Sequence, residues 1–308
     1  MKKLILYIIL FCSMSYRQGW NNTVTTSINE SNLIKTDLFT NRDGIHLVVQ
    51  NSNGSNSIKY YLLSSSGSLI RSATIESLDG AEFPCISGDN EKVYVVYKLG
   101  SNLKLKKSTT AGENWATLDD QSIGNNDCNG IDMVYDYRGL HVVYAMQDNE
   151  DYYETYYHLI SDDTWGDQED VTDYGEEVGG FPSVAVSYNR VHVAYNSGNN
   201  SVPLNNQGDA KTRDKNGSSW ETPQTVSSVT NNLSGAEKLQ VRSSTLFDFY
   251  FLFVSGMGNY WYDLYFKTRS VSGTTWSSGA SVAGSVGITE FIGAETTTDQ
   301  KLHIFYYD

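Results

Sequence analysis

The chain has 308 residues, a net charge of −14 and 13% aromatic side chains. Such an excess of acid repels phosphate backbones and anionic membrane surfaces, which argues against nucleic-acid and membrane partners. An apolar content of 39% excludes a disordered chain, and 22 Tyr with 26 Gly and only 4 Pro point to strands joined by tight turns.

In chain order, Met1-Lys2-Lys3 precedes an unbroken apolar run from Leu4 to Phe11, and small or polar residues follow from Cys12. This is the layout of a secretory leader over residues 1–17, too short to span a bilayer, with the mature chain at 18–308. It places the protein in the secreted or cell-surface class. Export leaves Cys85 and Cys128 as the mature cysteines and permits a disulfide between them; two separate buried thiols are the alternative. Residues 20–28, led by Trp20, read as an outer strand.

A five-residue motif then recurs. Its first copy is Ile45-His46-Leu47-Val48-Val49, and its second position returns at Tyr94, His141, His192, Tyr250 and His303. Steps of 47 to 58 residues suit propeller blades, each a four-stranded antiparallel sheet. Around each motif the sequence reads as an inner strand, a tight turn, the motif strand, a third strand and a Trp-led fourth strand. The junction into the fourth strand is Gly112-Glu113-Asn114-Trp115, Gly217-Ser218-Ser219-Trp220 and Gly273-Thr274-Thr275-Trp276, degraded to Asp162-Asp163-Thr164-Trp165 in the third unit. Gly supplies the positive φ of the hairpin turn, and Trp can wedge between neighbouring blades. The expected architecture is a six-bladed β-propeller closed by the N-terminal strand. Its sixth blade has an inner strand at 287–297 and a motif strand at 301–307 but lacks a third strand. Either the C-terminus is truncated or residues 4–11 fill the gap, and the leader reading favours truncation.

The unit resembles the sialidase-type, or bacterial neuraminidase repeat, propellers, whose Asp box reads Ser-x-Asp-x-Gly-x-x-Trp at the same hairpin. The best match, from Ser108 to Trp115, has Thr110 in place of the Asp. The resemblance implies that the loops entering the inner strands, and those between second and third strands, form the working face. There the sequence places Asn125, Asn126, Tyr174, Glu177, Tyr260, Trp261, Tyr262 and Asp263 as candidate glycan contacts, since aromatic faces stack on sugars and amides or carboxylates bond hydroxyls. Ordinary polar loops are the plainer reading. Asp79, Asp127, Glu176 and Glu290 are the carboxylates available for glycoside chemistry. The family's Arg-Ile-Pro motif is absent, and Arg42, Arg138 and Arg190 fall in turns of the opposite face, so sialic acid hydrolysis is not expected.

Four histidines share one register position, which marks packing rather than a shared metal site. No cofactor is expected; the acidic stretch Asp148 to Glu177 offers oxygen ligands for calcium, without a 12-residue calcium-loop pattern to support it. The functional expectation is a monomeric, secreted, non-catalytic module that binds a glycan or another extracellular partner. The alternatives are an exo-acting glycoside hydrolase or lyase, and a scaffold part of a larger surface protein.

Overall fold

The computed structural model describes residues 5–9, 20–25, 28, 30, 33–51, 56–124, 127–147, 153–172, 178–187, 189–198, 209–227, 236–243, 247–255, 262–270, 275–278, 280–288, 290–296 and 302–307. The described chain contains strands and turns without a helix, and its strands assemble into six antiparallel sheets.

The sheets follow one plan. The first strands are Leu33–Asn41, Ala81–Gly88, Cys128–Asp136, Val178–Ser187, Ala236–Ser243 and Glu290–Thr296. Each pairs with a motif strand: Gly44–Asn51, Val93–Leu99, Gly139–Gln147, Arg190–Gly198, Phe247–Ser255 or Leu302–Tyr307. Third and fourth strands complete each sheet. Consecutive first strands pack side by side, and Glu290–Thr296 packs on Leu33–Asn41. With antiparallel neighbours, first strands begin, second strands end and third strands begin at one end of each sheet, the entry end. The short hairpin turns lie at the other, the turn end.

The motif explains the core. Its last residue is buried in successive sheets as Tyr97, Tyr144 and Tyr195, each at most 1% exposed, with Val49 in the first. Burying a side chain of this size contributes about 2 kcal/mol. The Trp residues join sheets as their position suggests. Trp115 packs edge-on against Tyr60 of the preceding sheet, with ring centroids 5.1 Å apart. Trp165 donates its indole N–H to the Asp119 carbonyl at 2.8 Å, and Trp220 donates to Glu169 at 3.0 Å. These acceptors lie on or beside fourth strands that are not continuous. Ala116–Thr117 and Gln121–Ser122 are separate segments, as are Thr164–Trp165 and Glu169–Asp170. The sequence reading expects one strand there; short edge segments offer less unpaired backbone to other chains.

Two further expectations are corrected. The inner strand expected over 287–297 is divided: Ala280–Ile288 is the fourth strand of the fifth sheet, and Glu290–Thr296 is the first strand of the sixth. The missing third strand of that sheet is not missing. Ile5–Ile9 lies between Leu302–Tyr307 and Trp20–Thr25, with Leu6 opposite Phe305 and Val24. Trp20–Thr25 takes the outer edge, as its Trp-led sequence suggests.

The hairpin at Gly112 shows how tightly the repeat is set. Gly112 adopts φ +80, and a Cβ there would lie 2.0 Å from the Tyr60 ring. Gly217, at the corresponding turn two sheets on, has φ +62 and open space around it. Gly217→Ala is expected to cost about 1 kcal/mol of left-handed strain, and Gly112→Ala about 3 kcal/mol or more because the ring must also move. Urea denaturation of the two variants checks the ranking. A chain beginning at residue 18 leaves Trp20–Thr25 and one edge of Leu302–Tyr307 without their shared partner. It is therefore expected to melt below the full chain in a calorimetric comparison.

Candidate functional site

The entry end is built on irregularity. Every first strand carries a register shift near its start, between Leu33 and Lys35, Glu82 and Cys85, Cys128 and Gly130, Gly180 and Ser183, Ala236 and Lys238, and Phe291 and Gly293. Such bulges bend a strand and re-aim its side chains, and they concentrate beside active sites. In two sheets the bulge is a Phe-Pro pair whose Phe is left-handed, Phe83 at φ 53 and Phe181 at φ 50. Bulky residues rarely adopt this conformation, which costs about 1–3 kcal/mol. The preceding sheet holds each one in place. The Phe83 amide donates to Gln50 Oε1 at 3.2 Å, and the Phe181 amide donates to Asn129 Oδ1 at 3.0 Å. Gly130 permits the second contact, since a Cβ there would already press on Pro182 Cδ at 3.2 Å.

Because Asn129 Oδ1 accepts from Phe181, the other amide atom, Nδ2, is fixed as a donor. It is buried and has no acceptor among the described residues. A buried orphan donor is uncommon in native structures and fits a ligand acceptor. Around it the entry end presents charge and aromatic surface. The Lys35 ammonium lies 5.7 Å from the Phe83 ring centre, and Lys98 pairs with Glu82 at 3.3 Å. Glu30 accepts from Asn51 at 2.6 Å, from Lys59 at 2.8 Å and from the Tyr61 hydroxyl. Burial works to raise the Glu30 carboxyl, but the bonds from Lys59 and Tyr61 outweigh it and hold it below the usual range.

The expected site residues divide. Asp79 and Asp127 are exposed on the loops that enter the second and third sheets. Asp79 accepts the Asn56 and Gly80 amides, both at 3.0 Å, which gives it a turn-stabilising role. Asp127 bonds Gln147 through its backbone carbonyl at 2.7 Å, leaving its carboxylate at the entry end. Glu290 opens the sixth sheet's first strand, and Tyr262 opens the third strand that includes Asp263, so the topology brings all three to the same end. Their side chains lie outside the described set. Asn125, Asn126, Tyr174, Glu176, Glu177, Tyr260 and Trp261 lie outside the described residues altogether, as do 148–152 of the acidic stretch weighed for calcium. Asn129, Gln50 and the two strained Phe residues were not singled out from sequence. The repeated Phe-Pro pair, 11 residues before the motif's second position in both sheets, was the available signal.

Cys85 and Cys128 are both buried and are not joined in a disulfide, and burial pushes the Cys128 thiol up to about 11. The ligand atoms of Cys85, Asp37 and Asp132 lie within 4.8 Å of one another. Each also bonds the next sheet: Asp37 accepts the Ile86 amide at 2.9 Å, Cys85 donates to the Ile131 carbonyl at 2.8 Å, and Asp132 accepts the Val184 amide at 2.9 Å. Their shared task is to join sheets.

The described motif histidines are packing residues. His46, His141 and His192 are at most 1% exposed. Each reaches a residue five positions earlier and one on the third strand. His46 contacts Asn41 at 2.8 Å and Tyr60 at 2.7 Å; His141 contacts Asp136 at 3.0 Å and Tyr157 at 2.8 Å. In the fourth sheet the same geometry places His192 between Ser187 Oγ at 2.7 Å and Asp214 Oδ1 at 2.9 Å. The atom order is that of a hydrolytic triad. Yet the set is buried, repeats the lock of the other sheets, and is further pinned by Arg269 on Asp214 at 2.8 Å. Burial works to raise the Asp214 carboxyl, but His192 and Arg269 hold it at about 2.

No family model matches the chain, and no curated protein matches it in sequence. In fold it is similar to several solved structures. A protein of unknown function from Dyadobacter fermentans superposes with a TM-score of 0.65 at 10% identity, covering 92% of this chain and 98% of that one. A subtype N11 neuraminidase-like protein of A/flat-faced bat/Peru/033/2010 (H18N11) gives 0.60 at 10% identity, covering 100% and 97%. An α-L-arabinofuranosidase from Fusarium graminearum gives 0.60 at 11% identity, covering 100% and 98%. At these identities the likeness establishes the fold alone: an all-β chain of four-stranded antiparallel sheets with a β-propeller-like architecture.

The buried histidines generate a pH dependence. Burial pushes His46 down to about 4, and His158 moves in the same direction. Between about pH 6.5 and 4 the unfolded chain binds a proton at His46 that the folded chain does not, so stability falls as pH falls through that window, by up to about 3 kcal/mol. The urea midpoint should drop between pH 7 and pH 5, and His46→Gln should flatten that slope. A wild-type midpoint level across this range would contradict the assignment.

Proposed function

We propose that the chain is a six-bladed β-propeller, closed by its N-terminal strands, whose entry end binds carbohydrate outside the cell. The observation that carries this reading is the ring of bulged first strands around a strained Phe83, a strained Phe181 and the orphan Asn129 donor. Aromatic faces, an unpaired amide donor and nearby carboxylates are the groups that recognise a polyhydroxylated ring. The Ser108–Trp115 hairpin supports a degenerate sialidase-type box: the Thr110 hydroxyl accepts the Asn114 amide at 2.9 Å, at the position of the family's carboxylate. The leader-like residues 1–17 support export. N-terminal sequencing of exported protein decides whether Ile5–Ile9 stays in the sixth sheet.

A second reading, glycoside hydrolysis, is favoured by the likeness to an α-L-arabinofuranosidase and a neuraminidase-like protein. The carboxylates Glu82, Asp127, Glu176 and Glu290 are its candidates, with Asp79 set aside for its turn contacts.

A glycan array followed by product analysis tests both readings. Asn129→Asp keeps an oxygen for the Phe181 amide and removes the donor, so it is expected to weaken glycan binding about tenfold or more, with some loss of melting temperature because a carboxylate oxygen replaces a buried donor. If sugar is released, Asp127→Asn or Glu82→Gln is expected to abolish turnover while retaining binding. A chain that binds no glycan, or an Asn129→Asp variant that binds as well as wild type, would overturn the first reading.

A further inference from the structure

At the turn end, away from the proposed glycan site, the second and third sheets enclose a cleft of about 400 Å³. Its walls include Lys92 and Tyr94 from one sheet and Tyr135, Tyr137, Arg138 and Asp162 from the other. Tyr94 and Tyr135 stack with ring centroids 5.7 Å apart, and the Tyr94 hydroxyl donates to Asp163 at 3.0 Å. Lys107 also pairs with Asp163. Arg138 is held by Asp136 at 2.7 Å and donates to the Asn189 carbonyl at 2.8 Å. These contacts fix the walls of the cleft.

Three features are not explained by the fold. Tyr137 is 76% exposed, with its hydroxyl tied to Asn189. The Lys92 ammonium makes no hydrogen bond or ion pair among the described residues, although it feels the charge of Asp163. Asp162 is left-handed at φ 49, in a hairpin turn where the second and fourth sheets place Ala111-Gly112 and Gly217. Asp163, also left-handed at φ 63, is accounted for by Tyr94 and Lys107. The Asp162 carboxylate has no partner among the described residues. Aspartate tolerates this turn conformation at little cost, but the turn itself makes no use of its carboxylate.

We propose that this cleft is a second ligand site and that its ligand is a neutral mono- or disaccharide. An exposed tyrosine face suits the C–H face of a sugar ring. A free ammonium and a fixed guanidinium supply donors, and a free carboxylate supplies an acceptor for hydroxyls. The volume lies within the range of small-molecule sites, and the mixed charges favour a polyol over an anion. The site shares no residue with the entry end, so it stands or falls separately.

The test is saturation-transfer NMR on the full chain with arabinose, galactose, maltose, cellobiose and lactose at millimolar concentration. At least one sugar is expected to bind, with affinity falling about tenfold in both Tyr137→Ala and Asp162→Gly. Asp162→Gly keeps the inference falsifiable if Tyr137→Ala folds poorly. Glycine suits φ 49, so this variant should melt at or above the wild-type temperature while losing the sugar. Binding in the Asn129→Asp variant should be unchanged. Absence of binding by every sugar, or equal binding by wild type and Asp162→Gly, would overturn the proposal.

Discussion

The first four sheets are joined to one another by buried hydrogen bonds made at one register position, two residues before the first-strand partner of the motif histidine or tyrosine. Asp37, Cys85 and Asp132 occupy that position in three successive sheets, each at most 8% exposed, and each bonds the backbone of the next first strand. Ser183, the corresponding residue of the fourth sheet, donates its hydroxyl to Asp132. Burying a carboxylate is costly, and only charge-assisted bonds to fixed donors offset the penalty. The geometry of the neighbouring first strands therefore depends on these bonds. Hydrophobic contact between sheets is strong but non-directional; the carboxylate-to-amide bonds add the registration that apolar packing lacks.

This registration connects fold to site. The unpaired bulge residues lie one to three residues before the joining position, so each re-aimed side chain departs from an anchored point. Gln50 and Asn129 then reach across to hold Phe83 and Phe181 of the following sheets. The entry end is irregular over a regular foundation, an arrangement that keeps a strained loop support from relaxing. At the turn end the repeat is kept more strictly, with histidine locks in three sheets and glycine in the hairpins, which is what makes Asp162 conspicuous.

Much of the fold was legible because the motif is a packing unit. Its period gives the sheets, its final aromatic gives the core, and the common register of its histidines marks them as structural. The partners of those histidines were half legible. Asn41, Asp136 and Ser187 sit at a constant five-residue offset, whereas Tyr60, Tyr157 and Asp214 are brought in by third-strand pairing, which sequence spacing does not specify. Ile5–Ile9 reads as part of a leader because a short apolar run has no period that separates a leader from a buried strand, and its pairing with Leu302–Tyr307 is visible only in the assembled sheet. The candidate site was the least legible part. Loop composition directs attention to exposed Asp79 and Asp127, while Asn129 and the Phe-Pro bulges read as ordinary strand. Their significance depends on which residue of a neighbouring sheet lies opposite, and that is fixed only in three dimensions.

The most direct test of this account is the equilibrium unfolding of Asp132→Ala in urea. Removing the carboxylate leaves the Val184 amide and the Ser183 hydroxyl without this buried partner. The expected loss is about 3 kcal/mol or more, with the transition still cooperative or broadened by uncoupling of the third and fourth sheets. A variant that unfolds within about 0.5 kcal/mol of wild type would contradict the account, because the bonds between first strands would then not be what fixes the sheets relative to one another.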